Sequence, residues 1–249
     1  METITLTFGD CAENHRGMQE IGEKAKVGLS HADLISAMDW FTGKGIECEI
    51  VNLAKLPGIP DAYLLIAKNG CSALVDVKEL TAEQNTLERD TKAFMYGRVV
   101  NKKARHNLCF SEFEQAPDYQ NKKGTVVNFN RLPFLSGVRS ILPEIGGIKL
   151  SNLQCEANYY YDVKKTFIGF HGDTERRIVV AIRLGADFPI HYQWFKESKP
   201  VGDLFTRTLS DGDIYFMSEK AVGFDWKRRS IYTLRHAAGP EKKVVTWNK

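Results

Sequence analysis

The run Ile178-Val179-Val180-Ala181-Ile182 constrains the fold most. Five consecutive apolar residues, four of them β-branched, read as a strand buried on both faces, closed by Gly185. Further short strands follow it. Tyr192-Gln193-Trp194-Phe195 is one, and Asp211-Gly212-Asp213 turns the chain into Ile214-Tyr215-Phe216-Met217. Ile231-Tyr232-Thr233-Leu234 and Val244-Val245-Thr246-Trp247 are expected to be the last strands. Short strands at regular turns from residue 150 onward predict a sandwich or jelly roll.

Upstream the pattern is mixed. Ile4-Thr5-Leu6-Thr7-Phe8 alternates like a strand and stops at Gly9-Asp10. Glu13, Asn14 and His15 then read as a polar surface loop. Ser30 is a candidate N-cap for a helix carrying Leu34, Ile35, Met38 and Phe41 at helical spacing, closing at Gly43-Lys44-Gly45. Strands are expected at 47–53, 62–68 (ending in the turn pair Asn69-Gly70) and 73–77. Thr81-Ala82-Glu83-Gln84 reads as a capping box that opens a helix towards Tyr96. Residues 129–142 are expected to end in a helix with Pro133 near its start. The fold class is therefore α+β, with a small α/β unit over 1–80 and a β-rich domain over 81–249.

Bulk properties narrow the function classes. The 249 residues suffice for a substantial core, with 43% hydrophobic and 26% charged residues as in ordinary soluble proteins. A net charge of +3 permits a nucleic-acid partner without identifying one. Five scattered cysteines (Cys11, Cys48, Cys71, Cys109, Cys155), with no C-x-x-C pair, argue against a disulfide framework, a disulfide-linked partner or a zinc finger. The N-terminus lacks the basic start and apolar run of a signal peptide, and no stretch is long enough to span a membrane. The expectation is a soluble intracellular protein, cytoplasmic or nuclear, with no membrane association.

Two stretches carry chemistry. The first is His171-Gly172-Asp173: residues i and i+2 of a strand share a face, so an imidazole and a carboxylate can converge on one ion. That pair is two thirds of the facial triad that holds non-haem Fe(II). The second is residues 95–110, where Arg98, Lys102, Lys103, Arg105 and His106 lie among aromatic and apolar residues. Such interleaving suits an anionic ligand with flat rings; a solvated turn fits equally well.

From about residue 90 onward the chain resembles the AlkB-type branch of the Fe(II)/2-oxoglutarate-dependent dioxygenases, on five motifs in the family's order. These are Asn158-Tyr159-Tyr160, Ile168-Gly169-Phe170-His171-Gly172-Asp173-Thr174-Glu175, Ile182-Arg183-Leu184-Gly185, Gly212-Asp213-Ile214-Tyr215-Phe216-Met217-Ser218 and Arg229-Ser230-Ile231-Tyr232-Thr233-Leu234-Arg235. The resemblance implies a double-stranded β-helix (jelly-roll) catalytic domain that binds Fe(II), with 2-oxoglutarate and O2 as co-substrates. It implies hydroxylation of a C–H bond, with oxidative demethylation of an alkylated nucleic-acid base as the leading activity. Asn158 and Tyr160 would hold 2-oxoglutarate. Tyr96, Arg98, Arg105, Glu175 and Trp194 would contact substrate. The same chemistry on a protein or small molecule, or a nucleic-acid-binding module that has lost catalysis, are the alternatives.

The chain departs from the family near Trp226, where the second iron histidine is expected and none is present. Two registers follow. In one, Arg229 and Arg235 bind the co-substrate carboxylate and the iron lacks a usual third ligand. In the other, His236 is that ligand and the carboxylate falls to a residue such as Lys242 or Lys243. Neighbouring strand residues face opposite ways, so Arg235 and His236 do not both enter one pocket without a bulge. A working Fe(II) site favours three protein ligands, hence His171, Asp173 and His236 for the metal. Arg229 and Arg235 are retained as co-substrate candidates.

Overall fold

The computed structural model describes residues 1–246. In chain order come β1 (Thr3–Gly9), the hairpin β2 (Cys11–Glu13) and β3 (Glu20–Gly22), and α1 (His31–Thr42). The pair β4 (Cys48–Asn52) and β5 (Tyr63–Ala67), then α2 (Val77–Asn85), follow. Next are the hairpin β6 (Lys92–Met95) and β7 (Arg98–Asn101), β8 (His106–Ser111), β9 (Val126–Asn128) and α3 (Pro133–Gly146). The last part holds β10 (Gln154–Tyr160), β11 (Ile168–His171), β12 (Val179–Gly185), β13 (Phe188–Lys196), β14 (Lys199–Leu209), β15 (Ile214–Met217), α4 (Glu219–Val222), β16 (Thr233–Ala238) and α5 (Glu241–Thr246).

Two sheets dominate. The larger has the order β4-β5-β15-β12-β1-β10-β8-β9, and the smaller β11-β16-β13-β14. Between β10 and β16 the chain passes repeatedly from one sheet to the other. The result is a mixed α/β architecture with large β-sheets.

The alternation Thr3-Ile4-Thr5-Leu6-Thr7-Phe8 decides how the larger sheet is used. Ile4, Leu6 and Phe8 share a face with Tyr159, Val180, Ile182 and Phe216, and α1 and α3 pack over it. The other face carries Thr3, Thr5 and Thr7, which pair across the ladder with Tyr160, Asn158 and Glu156 on β10. Thr5 also pairs with Arg183 on β12. Towards β5 and β15 this inner face becomes apolar: Leu64, Ile66, Val179, Ala181, Tyr215 and Met217 meet Ile190, Tyr192, Trp194 and Leu234 of the smaller sheet.

Several expectations are corrected. Residues 1–80 are not a separate unit: β1, β4 and β5 all belong to the larger sheet, with β1 near its centre between β10 and β12. The second helix starts at Val77, because the Asp76 side chain accepts from the Lys78 and Glu79 amides. Thr81 lies inside that helix, its hydroxyl donating to the Val77 carbonyl (2.8 Å), and residues 92–95 are a strand. Gly70–Ala73 forms a 3-10 turn and no strand follows it to Val77. Residues 244–246 are helical, led in by Pro240, and Trp247 lies outside the described residues. The strand expected from Ile231 begins at Thr233.

Other readings stand. Ser30 caps α1 in a full capping box with Asp33. The helix expected after Pro133 runs to Gly146. No described helix is long and apolar enough to cross a membrane.

Candidate metal centre

The second sheet brings two imidazoles face to face. β11 and β16 are antiparallel with His171 opposite His236, and Tyr192 on β13 is the next partner across. Paired residues share a face, and the two imidazole centroids lie 4.4 Å apart. The third group arrives from just beyond β11. A Cβ at Gly172 would collide with the Gly223 carbonyl, so only glycine lets the loop after α4 come this close. The Asp173 amide then donates to the Val222 carbonyl (3.1 Å), which fixes the aspartate. Its Oδ1 stands 3.5 Å from His171 Nε2 and 3.6 Å from His236 Nε2. One ligand atom from each of the three residues falls within 4.8 Å of the others, a cluster that could hold a metal ion.

Electrostatics keep both rings ready to ligate. Burial first, then the neighbouring His236, pushes the His171 pKa down to about 4 against the pull of Asp173. Burial and the charge of Arg176 bring His236 to about 4. Both are neutral at physiological pH. His171 Nδ1 lies 2.8 Å from the Gly169 carbonyl, which can only accept, so Nδ1 carries the proton and Nε2 presents its lone pair to the cluster.

A polar network surrounds the cluster. Arg176, 4% exposed, holds three carboxylates: Glu156 at 2.6 Å, Glu175 at 2.8 Å and Asp173 Oδ2 at 3.5 Å. Burial alone would raise the Glu156 carboxyl, but Arg176 holds it below its ordinary value. Asn158 Nδ2 donates to Glu156 (2.9 Å), while Asn158 Oδ1 accepts from Asn107 (2.7 Å) and from Arg105 Nε. Lys102 donates to Asn107 Oδ1 (2.9 Å) and Asn14 Oδ1 (2.7 Å), and burial brings its pKa down to about 8. Glu13 accepts from the Gly17 amide (2.6 Å); burial and then nearby Glu175 push its carboxyl up to about 8. Asn14, 2% exposed, is therefore part of this network and not of a solvated loop.

The expected site residues divide. His171, Asp173 and His236 converge, and Tyr160, Arg105 and Glu175 lie close around them. Asn158 is bound up in the network, its amide bridging Glu156 to Arg105 and Asn107. Arg229 is exposed on the loop before β16, its carbonyl accepting from the Glu197 amide (3.1 Å). Arg235 sits on the face of β16 opposite His236, stacked 4.0 Å from the Phe195 ring centre and 5.2 Å from that of Trp226. Neither arginine joins the cluster. Trp194 is 4% exposed and donates to the Leu53 carbonyl (2.8 Å), a core position between the sheets. Tyr96 and Arg98 are exposed at the tip of the β6–β7 hairpin, Tyr96 with left-handed φ of 54°. Lys242 and Lys243 are exposed on α5.

Sequence reading missed Arg176, Glu156 and Arg183, and assigned Glu13 to a surface loop. For Arg183 the signal was present: an arginine inside an apolar strand must face something polar.

No family model matches the chain. An uncharacterized protein of Acanthamoeba polyphaga mimivirus is 51% identical over 249 residues, an alignment covering 98% of each chain.

Proposed function

The chain belongs to one family with this mimivirus protein, and we propose that it is an Fe(II)/2-oxoglutarate-dependent dioxygenase. The observation that carries the proposal is the His171-Asp173-His236 cluster. Two neutral imidazoles and one carboxylate gathered at one point are the donor set of a non-haem Fe(II) site, and they leave coordination positions open. The two-sheet arrangement supports a double-stranded β-helix, with β1 completing the larger sheet between β10 and β12. The silent-module alternative rested on the missing histidine near Trp226; His236, brought opposite His171 by strand pairing, favours an enzyme.

When bound, Fe(II) with 2-oxoglutarate and O2 supplies oxidative hydroxylation of a C–H bond, coupled to decarboxylation of the co-substrate to succinate. The chain's own residues prepare for this. His171 presents an unprotonated Nε2, and the neutral ring of His236 stands opposite it. Arg176 contacts Asp173, Glu156 and Glu175 together and offsets part of their mutual repulsion in a buried place. An alkylated nucleic-acid base is the proposed substrate. Cations stand beside the segment that follows Asp173: Lys227 bonds the Thr174 hydroxyl (3.4 Å), Lys24 the Thr174 carbonyl, and Arg16 lies 5.3 Å over the Trp226 ring. Such groups suit phosphates beside a stacked ring.

Anaerobic addition of Fe(II) and 2-oxoglutarate is expected to give a weak visible charge-transfer band, absent in His171→Ala. Absence of that band and of any succinate would reject the oxygenase reading. Binding to methylated single-stranded oligonucleotides across a salt series tests the substrate, and affinity indifferent to salt would remove nucleic acid from it.

A further inference from the structure

Arg183 is the largest fully buried side chain among the described residues. One of its nitrogens, Nη1, donates to the Thr5 hydroxyl; Nε and Nη2 have no partner among the described residues. The Phe188 ring lies 5.1 Å from the guanidinium carbon. No described carboxylate comes within ion-pair distance. Asp213, whose charge acts on it, turns both oxygens to backbone amides of Asn69 and Ser210, each at 2.8 Å. A buried guanidinium with two idle N–H groups is costly, and the cost is relieved when an anion enters.

The surroundings say where that anion would sit. Arg183 stands on the inner face of the larger sheet, among the hydroxyl-bearing residues Thr5, Tyr160 and Tyr215, the two tyrosines being close enough to exert a field on it. The charge of Asp173 in turn reaches Tyr160, Tyr215 and Tyr192. Tyr192 lies with its ring 6.1 Å from that of His236, and its hydroxyl has no partner. The metal cluster and Arg183 thus face the same band of tyrosines.

We propose that Arg183 binds the distal carboxylate of the co-substrate 2-oxoglutarate, whose 2-oxo acid end faces His171, Asp173 and His236. This rests on the dioxygenase reading and changes one part of it: the anchoring arginine comes from β12, and Arg229 and Arg235 have no such role. The topology gives the reason. The strand beside β10 and β12 is β1, whose inward residues are threonines, so the cation must come from a neighbouring strand. A planar guanidinium with two adjacent free N–H groups matches a carboxylate in a bidentate pair.

The test compares two ligands on Mn(II)-loaded protein by calorimetry: 2-oxoglutarate, and pyruvate, which keeps the 2-oxo acid and lacks the distal carboxylate. Wild type is expected to prefer 2-oxoglutarate by on the order of 100-fold, and Arg183→Met to bind the two alike with Mn(II) affinity unchanged. Arg229→Ala is expected to keep the full preference. If Arg183→Met does not fold, Arg183→Lys, which keeps the charge and loses the fork, is expected to reduce the preference about tenfold. Retention of the full preference in either Arg183 variant overturns the proposal while leaving the metal site standing. Failure of Mn(II) to bind wild type, or equal Mn(II) affinity in His171→Ala, overturns the dioxygenase reading on which it rests.

Discussion

The two faces of the larger sheet are built from alternate residues of the same strands and have opposite characters. On the outer face Ile4, Leu6, Phe8, Tyr159, Val180, Ile182 and Phe216 pack against helices, and the one hydroxyl among them, on Tyr159, donates to Gln84 (3.0 Å). On the inner face lie Thr5, Glu156, Asn158, Tyr160 and Arg183, and here the fold leaves guanidinium nitrogens of Arg176 and Arg183 and the facing Tyr192 hydroxyl unpaired. The outer face is filled by apolar packing, with Gln84 Nε2 left unpaired beside it. On the proposed reading the inner face keeps polar groups in waiting for a ligand, at a cost in stability.

Substitutions that separate stability from binding put this contrast to the test. The largest effect is expected at the cluster: Asp173→Ala should reduce metal content to background by elemental analysis, and stoichiometric metal in the variant would count against the cluster as a metal site. Phe8→Ala on the outer face should cost about 3–5 kcal/mol in denaturant unfolding, through the cavity it leaves. A loss below about 1 kcal/mol would mean that the helical layer is not the main source of stability.

Arg183→Met should go the other way in the ligand-free protein, leaving unfolding free energy unchanged or raising it by about 1–4 kcal/mol, because a buried and half-satisfied charge is replaced by an apolar chain of similar length. Strong destabilisation would make Arg183 a structural residue. The smallest effect concerns Glu13. Its carboxyl titrates near 8 when folded, against 4.5 for an unperturbed glutamate. Between those values the unfolded chain is ionised while the folded one keeps its proton. The folded state therefore binds more protons, and this contribution to stability falls as pH rises from about 4.5 to about 8. Glu13→Gln should remove that slope, gaining about 2 kcal/mol at pH 8 once partial exposure is allowed for. A parallel pH profile in the variant would show that Glu13 is ionised in the folded protein.

What could be read in advance follows from how local each signal is. His171-Gly172-Asp173 was visible because its spacing is two residues, and His236 because a triad needs a third group. The capping box at Ser30 and the strand over 178–182 are equally local. The place of β1 was not legible: Thr-Ile-Thr-Leu-Thr-Phe says which residues share a face, but nothing in it names Tyr160 or Leu184 as neighbours. For the same reason residues 1–80 looked like a unit of their own. Arg229 and Arg235 were expected from a motif, but Arg229 lies exposed on a loop and Arg235 on the face of its strand opposite His236. Val244-Val245 reads as strand by β-branching, and Pro240 together with the following charged residues set a helix instead.

The position of β1 also bears on how the protein comes into being. Its Thr3 hydroxyl donates to the Leu184 carbonyl (3.0 Å), 181 residues away. On a ribosome adding about 5–20 residues per second, β1 is made about 10–40 s before both of its sheet partners exist. Throughout that interval it is an unpaired strand with Ile4, Leu6 and Phe8 uncovered, a natural client for a chaperone. Closure of the sheet around it is a late event in synthesis, and the inner face that carries Thr5 and Arg183 is assembled only then.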